Sequence, residues 1–293
     1  MKIVIGSRGS KLALIQSEEV RQALLDYDSS FDIEIKVIHT KGDAILDKPL
    51  NKIGDKGLFT KEIESQLLSG EIDLAVHSLK DLPSDLPEGL VLADTIKASS
   101  SKDCIIFNKG YHSIDELPPH ALIGTGSLRR KYSLLNYRSD LTIVNIRGNI
   151  QTRIDKMYKE DLDAIILAKA GLERCHLDIG EPLDYSIMIP ACGQGILGIE
   201  VREDSRMIDL IHKISDPIAT RRMHLERAFL KSIGGSCHQP IGAHVEIYGD
   251  DIEFYGLYGN EEKIVSIHKV ISDHYEEEII KIADQLKEEV ENG

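Results

Sequence analysis

The chain has no tryptophan among its 293 residues, and aromatic residues make up only 5% of it. A nucleobase-stacking surface or an aromatic cage for an organic cation is therefore not its main device. An excess of positive charge is also missing: 49 acidic against 35 basic residues leave a formal net charge of −14. That is the wrong sign for nucleic acid or an anionic membrane surface as partner, so any anionic ligand must be met by local cations. No apolar run approaches the roughly 20 residues that span a bilayer. The opening MKIVIGSRGS lacks the continuous apolar core of a secretory signal, and the expected compartment is the cytoplasm. Four cysteines, Cys104, Cys175, Cys192 and Cys237, form no C-x-x-C pair. A disulfide framework or closed zinc site is not expected, and no metal site is assigned.

What the chain does have is an alternation of short apolar strands and amphipathic helices. Lys2 to Ile5 reads as a strand and Gly6 to Ser10 as a turn. A helix follows, with Ser10 as N-cap and Leu12, Ile15, Val20, Ala23 and Leu24 at helical spacing. Ile33 to His39 reads as a strand with Ile33, Ile35 and Val37 on one face, Thr60 to Leu68 as a helix, and Leu74 to Val76 as a strand. A second series begins at Asp103 to Phe107. It continues through a strand at Leu122 to Gly124, a helix carrying Leu128, a strand at Thr142 to Ile146, a helix through Arg153, a strand at Ala164 to Leu167 and a helix ending near Arg174. Such alternation predicts α/β lobes with parallel or mixed sheets covered on both faces. The glycine-rich Pro190 to Gly198 sits where the chain crosses back between lobes. From Pro217 a helix, alternating strands and a charged last helix predict a small α+β third domain. The expected division is 1–98 with 195–216, then 99–194, then 217–293.

The most informative stretch is Ile72 to Pro83, IDLAVHSLKDLP, where an apolar strand breaks into a loop carrying Ser78, Lys80 and Asp81. Ligands of open α/β sheets bind where loops leave the carboxyl ends of strands. Cations recur at equivalent places: Arg8, Lys52, Lys56, Lys80, Arg129, Arg130, Arg147 and Arg153. On an acidic chain this placement predicts a cleft for a polyanion, because helix starts carry partial positive charge and an Arg fork grips two oxygens at once. Gly124-Thr125-Gly126-Ser127 adds hydroxyl donors and close backbone approach, without the spacing of a P-loop. Asp81, among cations, suits accepting N–H hydrogen bonds, stabilising a developing cation or relaying a proton. Cys237 lies in Gly234-Gly235-Ser236-Cys237-His238-Gln239-Pro240, a loop that presents a thiol as nucleophile or attachment point. Its neighbour His238 points elsewhere if the segment is extended, so a Cys-His pair from adjacent residues is not expected.

Ordered along the chain, Ser7 to Ala13, Gly54 to Phe59, Ala75 to Pro83, Gly126 to Arg130, Asn145 to Asn149, Ala170 to Arg174, Gly193 to Gly195 and the Cys237 loop resemble one family, the porphobilinogen deaminases or hydroxymethylbilane synthases. The resemblance implies two lobes like those of periplasmic binding proteins plus a third domain presenting the cysteine. It implies a transferase of haem and other tetrapyrrole biosynthesis, joining four porphobilinogen molecules head to tail into hydroxymethylbilane with release of ammonia. Its cofactor would be a dipyrromethane held by a thioether to Cys237. Each loss of ammonia would leave an electron-poor azafulvene for the next pyrrole to attack. By the same resemblance Asp81 is the catalytic acid. Ser78, Lys80, Asp81, Thr125, Ser127, Arg129, Arg130, Arg147 and Gly148 would hold the cofactor, and Arg8, Ser10, Arg147, Arg153, Arg174 and Gln194 the substrate. Lys52 and Lys56 would lie on a lid, with Asp43 near the site, and the chain would act as a monomer. Two positions depart from the family pattern: Ser236 adds a small residue before the sulfur, and Cys192 stands where Val is common. Two other readings remain: a two-lobed binding or sensing protein for an anionic small molecule, and a cysteine-dependent acyl transferase.

Overall fold

The computed structural model describes residues 1–40, 60–234 and 239–292. Two compact units divide the chain: Met1–Ser99 with Ile196–His224, and Ser100–Gly195 with Leu225–Gly293.

The first unit is built on five strands: β1 (Lys2–Arg8), β2 (Asp32–Ile38), β3 (Leu74–Ser78), β4 (Leu90–Leu92) and β10 (Leu197–Arg202). They lie in the order β2-β1-β3-β10-β4. β1 runs parallel to β2 and β3, while β10 runs antiparallel to β3 and β4, so the sheet is mixed. One face packs Ile3, Ile5, Leu74 and Val76 under helix α1 (Lys11–Tyr27) through Val20 and Leu24, and under α6 (Met207–Ile214) through Met207 and Ile211. The other face packs Ile38, Ile72 and Ala75 against Ile63 and Leu67 of α2 (Lys61–Leu68). Alternate residues thus feed opposite cores, as the two-residue period of a strand requires. Ser10 caps α1 as expected, accepting the Ala13 N–H at 3.3 Å.

One reading is corrected here. Gly6 to Arg8 is strand, not turn: Gly6 pairs with Lys36 on one side and Ala75 on the other. A Cβ on Gly6 would lie 2.3 Å from the Ile72 side chain, so this glycine serves close packing. Ile33 and Ile35 of β2 pack into the core under α1, Val37 further along the same face is exposed, and Ile38 on the opposite face enters the core under α2.

The second unit repeats the arrangement. Strands β5 (Asp103–Phe107), β6 (Leu122–Gly124), β7 (Thr142–Val144), β8 (Ala164–Ala168) and β9 (Glu181–Pro182) lie in the order β7-β6-β8-β5-β9. β6 is parallel to β7 and β8, and β5 is antiparallel to β8 and β9. Ile105, Ile123, Ala164 and Ile166 face Leu134 of α3 (Leu128–Tyr137). Cys104, Ile106, Ile165 and Leu167 face Ile154 and Met157 of α4 (Ile150–Lys159) and Leu172 of α5 (Lys169–Arg174).

The same unit holds a small antiparallel sheet of β11 (Gly242–Tyr248), β12 (Asp251–Gly259) and β13 (Ile264–Ile271). It packs Ala243, Val245 and Phe254 against Leu225, Phe229 and Ile233 of α7 (Pro217–Ile233), and against Ile279, Ile282 and Leu286 of α8 (Tyr275–Asn292). Pro217 opens α7 where its missing N–H costs nothing, and Asp216 accepts the Ala219 N–H at 2.9 Å. The expected α/β class, with mixed sheets and a small α+β part, is what the chain adopts. Among the described residues no helix is long and apolar enough to cross a membrane.

Candidate active site

In the first unit β3 carries Ser78 to its carboxyl end, and a single 3₁₀ turn, Leu79–Asp81, follows. Leu79 is buried and its N–H is bonded to the Ile196 carbonyl at 3.1 Å, so the turn is anchored by its apolar member while Asp81 stands exposed. Arg8 ends the neighbouring parallel strand and Ser10 caps the helix after it. Arg8, Ser10, Ser78 and Asp81 line one concavity together with Gln16, Thr60 and His77. Ser78 Oγ accepts from Gln16 Nε2 at 2.8 Å, an interaction the sequence reading missed. Lys80 lies on the same turn but not among the residues lining the concavity.

In the second unit the residues after β6 form a different kind of centre. Thr125 is buried and its Oγ1 accepts the Ser127 N–H at 3.2 Å; Ser127 caps α3 by accepting the Arg130 N–H at 3.4 Å. Arg129 and Arg130, in the first turn of α3, are not on a solvated rim but buried at 3% and 6% exposure. Both grip Asp103, the fully buried first residue of β5. Arg129 Nη1 donates to Oδ2 at 2.7 Å, and Arg130 Nε and Nη2 donate to Oδ1 at 3.0 and 2.7 Å. Carbonyls of Ile189 and Ile166 take further guanidinium hydrogens at 2.7 and 3.1 Å. One carboxylate facing two guanidinium groups leaves this cluster formally one positive charge in excess. Burial accordingly pushes the Arg129 guanidinium below its ordinary range, with Asp103 opposing.

After β7 the chain passes through Arg147 and Gly148 into α4, capped by Asn149, whose Oδ1 accepts the Thr152 N–H at 2.9 Å. Gly148 has φ +126°, and a Cβ there would lie 2.6 Å from Thr152, so only glycine fits. Arg153 folds back to donate through Nε to the Gly148 carbonyl at 2.8 Å. Arg174, buried at the end of α5, donates to the Gly195 carbonyl at 3.2 Å. Gln194 is buried, and its amide donates to the Ser101 carbonyl at 2.7 Å and to Asp103 Oδ1 at 3.0 Å. Arg129, Arg130 and Gln194 therefore gather around β5, whereas the Thr125 N–H bonds the Val144 carbonyl at the end of β7, at 2.9 Å, and Arg147 and Arg153 belong to the start of α4. Cys237, Lys52, Lys56 and Asp43 lie outside the described residues.

The donor set of this second unit fits a ligand bearing several carboxylates. It combines guanidinium forks, hydroxyls and helix starts with an excess of positive charge. Cys192 competes poorly as a thiolate: it is buried, and burial next to Glu226 pushes its thiol up. Cys104 is likewise pushed up to about 12 by burial and Asp103.

Asp103 and Glu226 were both missed by sequence reasoning, although each leaves a signal. Asp103 is the single charged residue in an otherwise apolar strand, DCIIF. Glu226 stands three, four and seven residues before Phe229, Leu230 and Ile233, on the apolar stripe of α7, where a charge is out of place.

Comparison with known proteins agrees with the motifs. Residues 3–209 match the family model "Porphobilinogen deaminase, dipyromethane cofactor binding domain", and residues 220–292 match "Porphobilinogen deaminase, C-terminal domain". A curated porphobilinogen deaminase of Clostridium novyi is 49% identical over 285 residues, covering 94% of each chain. That of Clostridioides difficile is 46% identical over 298 residues, covering 100% of this chain and 99% of its own. Among solved structures, the Bordetella pertussis BvgS VFT2 domain aligns at 13% identity with TM-score 0.43, over 78% of this chain and 91% of its own. Substrate binding domain 2 of Lactococcus lactis GlnP aligns at 12% identity with TM-score 0.44, over 73% and 87%.

Proposed function

Because the chain belongs to the porphobilinogen deaminase family, we propose that it is a transferase that condenses four porphobilinogen molecules into hydroxymethylbilane and releases ammonia. The observation that carries this reading is the match of residues 3–209 to the cofactor-binding domain of that family. In this reading residues 217–293 act as a third domain whose Cys237 holds a dipyrromethane through a thioether. The chain works as a cytoplasmic monomer.

The cofactor, when bound, supplies the terminal pyrrole carbon at which a new carbon–carbon bond forms. Asp81 stands at the rim of the concavity with a carboxylate open to a ligand. There it accepts a pyrrole N–H, stabilises positive charge that develops on the ring, and takes up the proton released from ring carbon. Each condensation breaks one carbon–nitrogen bond, and the ammonia that leaves needs no oxidant or reductant. Arg8 and Ser10 orient a carboxylate-bearing ring in the first unit. In the second unit Thr125, Ser127, Arg147, Gly148 and Arg153 offer donors at the starts of α3 and α4. The excess positive charge of Arg129, Arg130 and Asp103 is offset by a ligand carboxylate, and Lys80, Arg174 and Gln194 complete the binding groups.

The test is direct. Purified chain given porphobilinogen is assayed for ammonia and hydroxymethylbilane, and its intact mass is taken before and after. Turnover with a mass increase equal to two deaminated porphobilinogen units, lost in Cys237→Ser, supports the reading. A bare mass with reversible binding of an anion supports the two-lobed binding protein instead.

A further inference from the structure

Within the second unit a ring of buried polar groups closes on itself, and of its members the roles above use only Gln194. Glu226 of α7 is fully buried. Its Oε2 accepts the Gly193 N–H at 2.5 Å, and its Oε1 accepts the Val245 N–H at 3.2 Å and lies 3.2 Å from His244 Nδ1. On the far side of the same imidazole, Nε2 lies 3.4 Å from Ser101 Oγ. The Ser101 carbonyl in turn accepts the Gln194 amide at 2.7 Å. Gln194 follows Gly193 in the chain, so the circuit is complete. Nε2 also lies 3.7 Å from Glu246 Oε1, so a carboxylate faces each ring nitrogen, and Ser101 Oγ lies 2.7 Å from the Tyr185 hydroxyl.

A carboxylate on the apolar stripe of a helix is costly to desolvate, and the Gly193, Val245 and His244 groups described above help to offset that cost. For packing alone an apolar side chain of the same volume would serve as well or better. What the carboxylate adds is fixed geometry. It holds the Gly193 turn, at φ +76°, by its N–H. From that turn Gln194 reaches Asp103 Oδ1, the oxygen that also takes Arg130, while Oδ2 takes Arg129. In the other direction α7 runs on from Glu226 to Ile233, and the Cys237 loop follows. The geometry points to Glu226 as a positioning residue: it fixes the helix that leads to Cys237 against the guanidinium pair of Arg129 and Arg130. This inference rests on the function proposed above, because it takes Cys237 as anchor and the arginines as its carboxylate receptors.

Glu226→Gln tests it. Glutamine offers one acceptor oxygen, so its amide hydrogens must face either the Gly193 N–H or the Val245 N–H and His244. The purified E226Q chain is compared with wild type by intact mass, for the fraction carrying the dipyrromethane adduct, and by turnover per loaded chain. The expected result is a loaded fraction several-fold lower and turnover down about 10-fold or more, as small misplacements cost in preorganised sites. Incompletely extended oligopyrrole species should accumulate on the chain. A lower melting temperature with loaded fraction and turnover within two-fold of wild type would mean a merely structural role and overturn the inference. If E226Q does not fold, Ser101→Ala decides on the same readouts: it opens the circuit at His244 but keeps the carbonyl that holds Gln194. A milder loss in the same direction supports the inference, and unchanged values overturn it. A wild-type chain with no adduct at all overturns the functional reading, and this inference with it, in a way no E226Q result can imitate.

Discussion

In the sheet β2-β1-β3-β10-β4 the parallel strands end in an exposed carboxylate, Asp81, whereas in β7-β6-β8-β5-β9 they end in guanidinium groups that are buried. The strand order and the pattern of parallel and antiparallel pairs are the same in both. The chemistry at the ends is not, and under the function proposed above the difference follows from the role of each group. On that proposal Asp81 moves protons, so it must stay open to its substrate and is held only through neighbours such as the buried Leu79. Groups that grip carboxylates gain from a low-dielectric setting, where each hydrogen bond to charge is stronger, but they then need a resident counter-charge to fold at all. Asp103 provides it. The first region is thus predicted to be sensitive in rate and tolerant in stability, and the second sensitive in both.

The largest effect expected from this contrast is in Asp81→Ala. Turnover should fall by about 10³-fold or more, with the adduct still present by intact mass and the melting temperature within a degree or two of wild type. Normal turnover would remove Asp81 from the chemistry, and a large loss of stability would erase the contrast. Next comes Asp103→Asn, which leaves two buried guanidinium groups without a counter-charge and should cost about 3–5 kcal/mol of stability. Denaturant unfolding measures it, and a loss below about 1 kcal/mol would mean that the pair is solvated rather than buried.

A smaller effect concerns Glu64 on α2, whose carboxyl is raised above its ordinary value by burial, with a Thr60 hydrogen bond opposing. The folded state therefore favours the protonated form. The stability this gives is fully present below the unfolded value near 4.5 and is lost as pH rises through the folded value. Glu64→Gln cannot lose a proton, so it should melt about 1–3 °C above wild type at pH 7 and level with it near pH 4. A gap that does not close at low pH would contradict the cause. The smallest effect is chemical. In the native chain iodoacetamide should modify Cys175, which is only partly buried, well before Cys104 and Cys192, whose thiols burial pushes up. Equal rates would put Cys192 back among the candidate attachment points.

Much of the fold was legible in the residues. The strands Asp103–Phe107 and Leu122–Gly124 and the helix from Pro217 have the bounds their composition predicts, because runs of branched apolar residues between turn formers have few other solutions. The cap at Ser10 was read from the sequence, and Ser127 and Asn149, not singled out there as caps, cap α3 and α4 by the same side-chain bond to the first turn. Gly6 misled because glycine marks both turns and close packing, and sequence alone does not say which. Arg129 and Arg130 were read as cleft cations for a polyanion, with no sign of how deeply they are buried. Their burial depends on Asp103, which lies 26 and 27 residues away along the chain.

By itself, the order of residues determined the α/β alternation, the chemical types available at each strand end and the family to which the chain belongs, since all three rest on local spacing and on motifs a few residues long. Tertiary structure alone decided which of those groups are solvated and which are shut away with a partner. It placed Asp81 outside, closed Asp103 around two arginines, and joined Glu226, His244, Ser101 and Gln194 into one ring. Burial and pairing are set by segments far apart in the chain, and no window of sequence contains both partners.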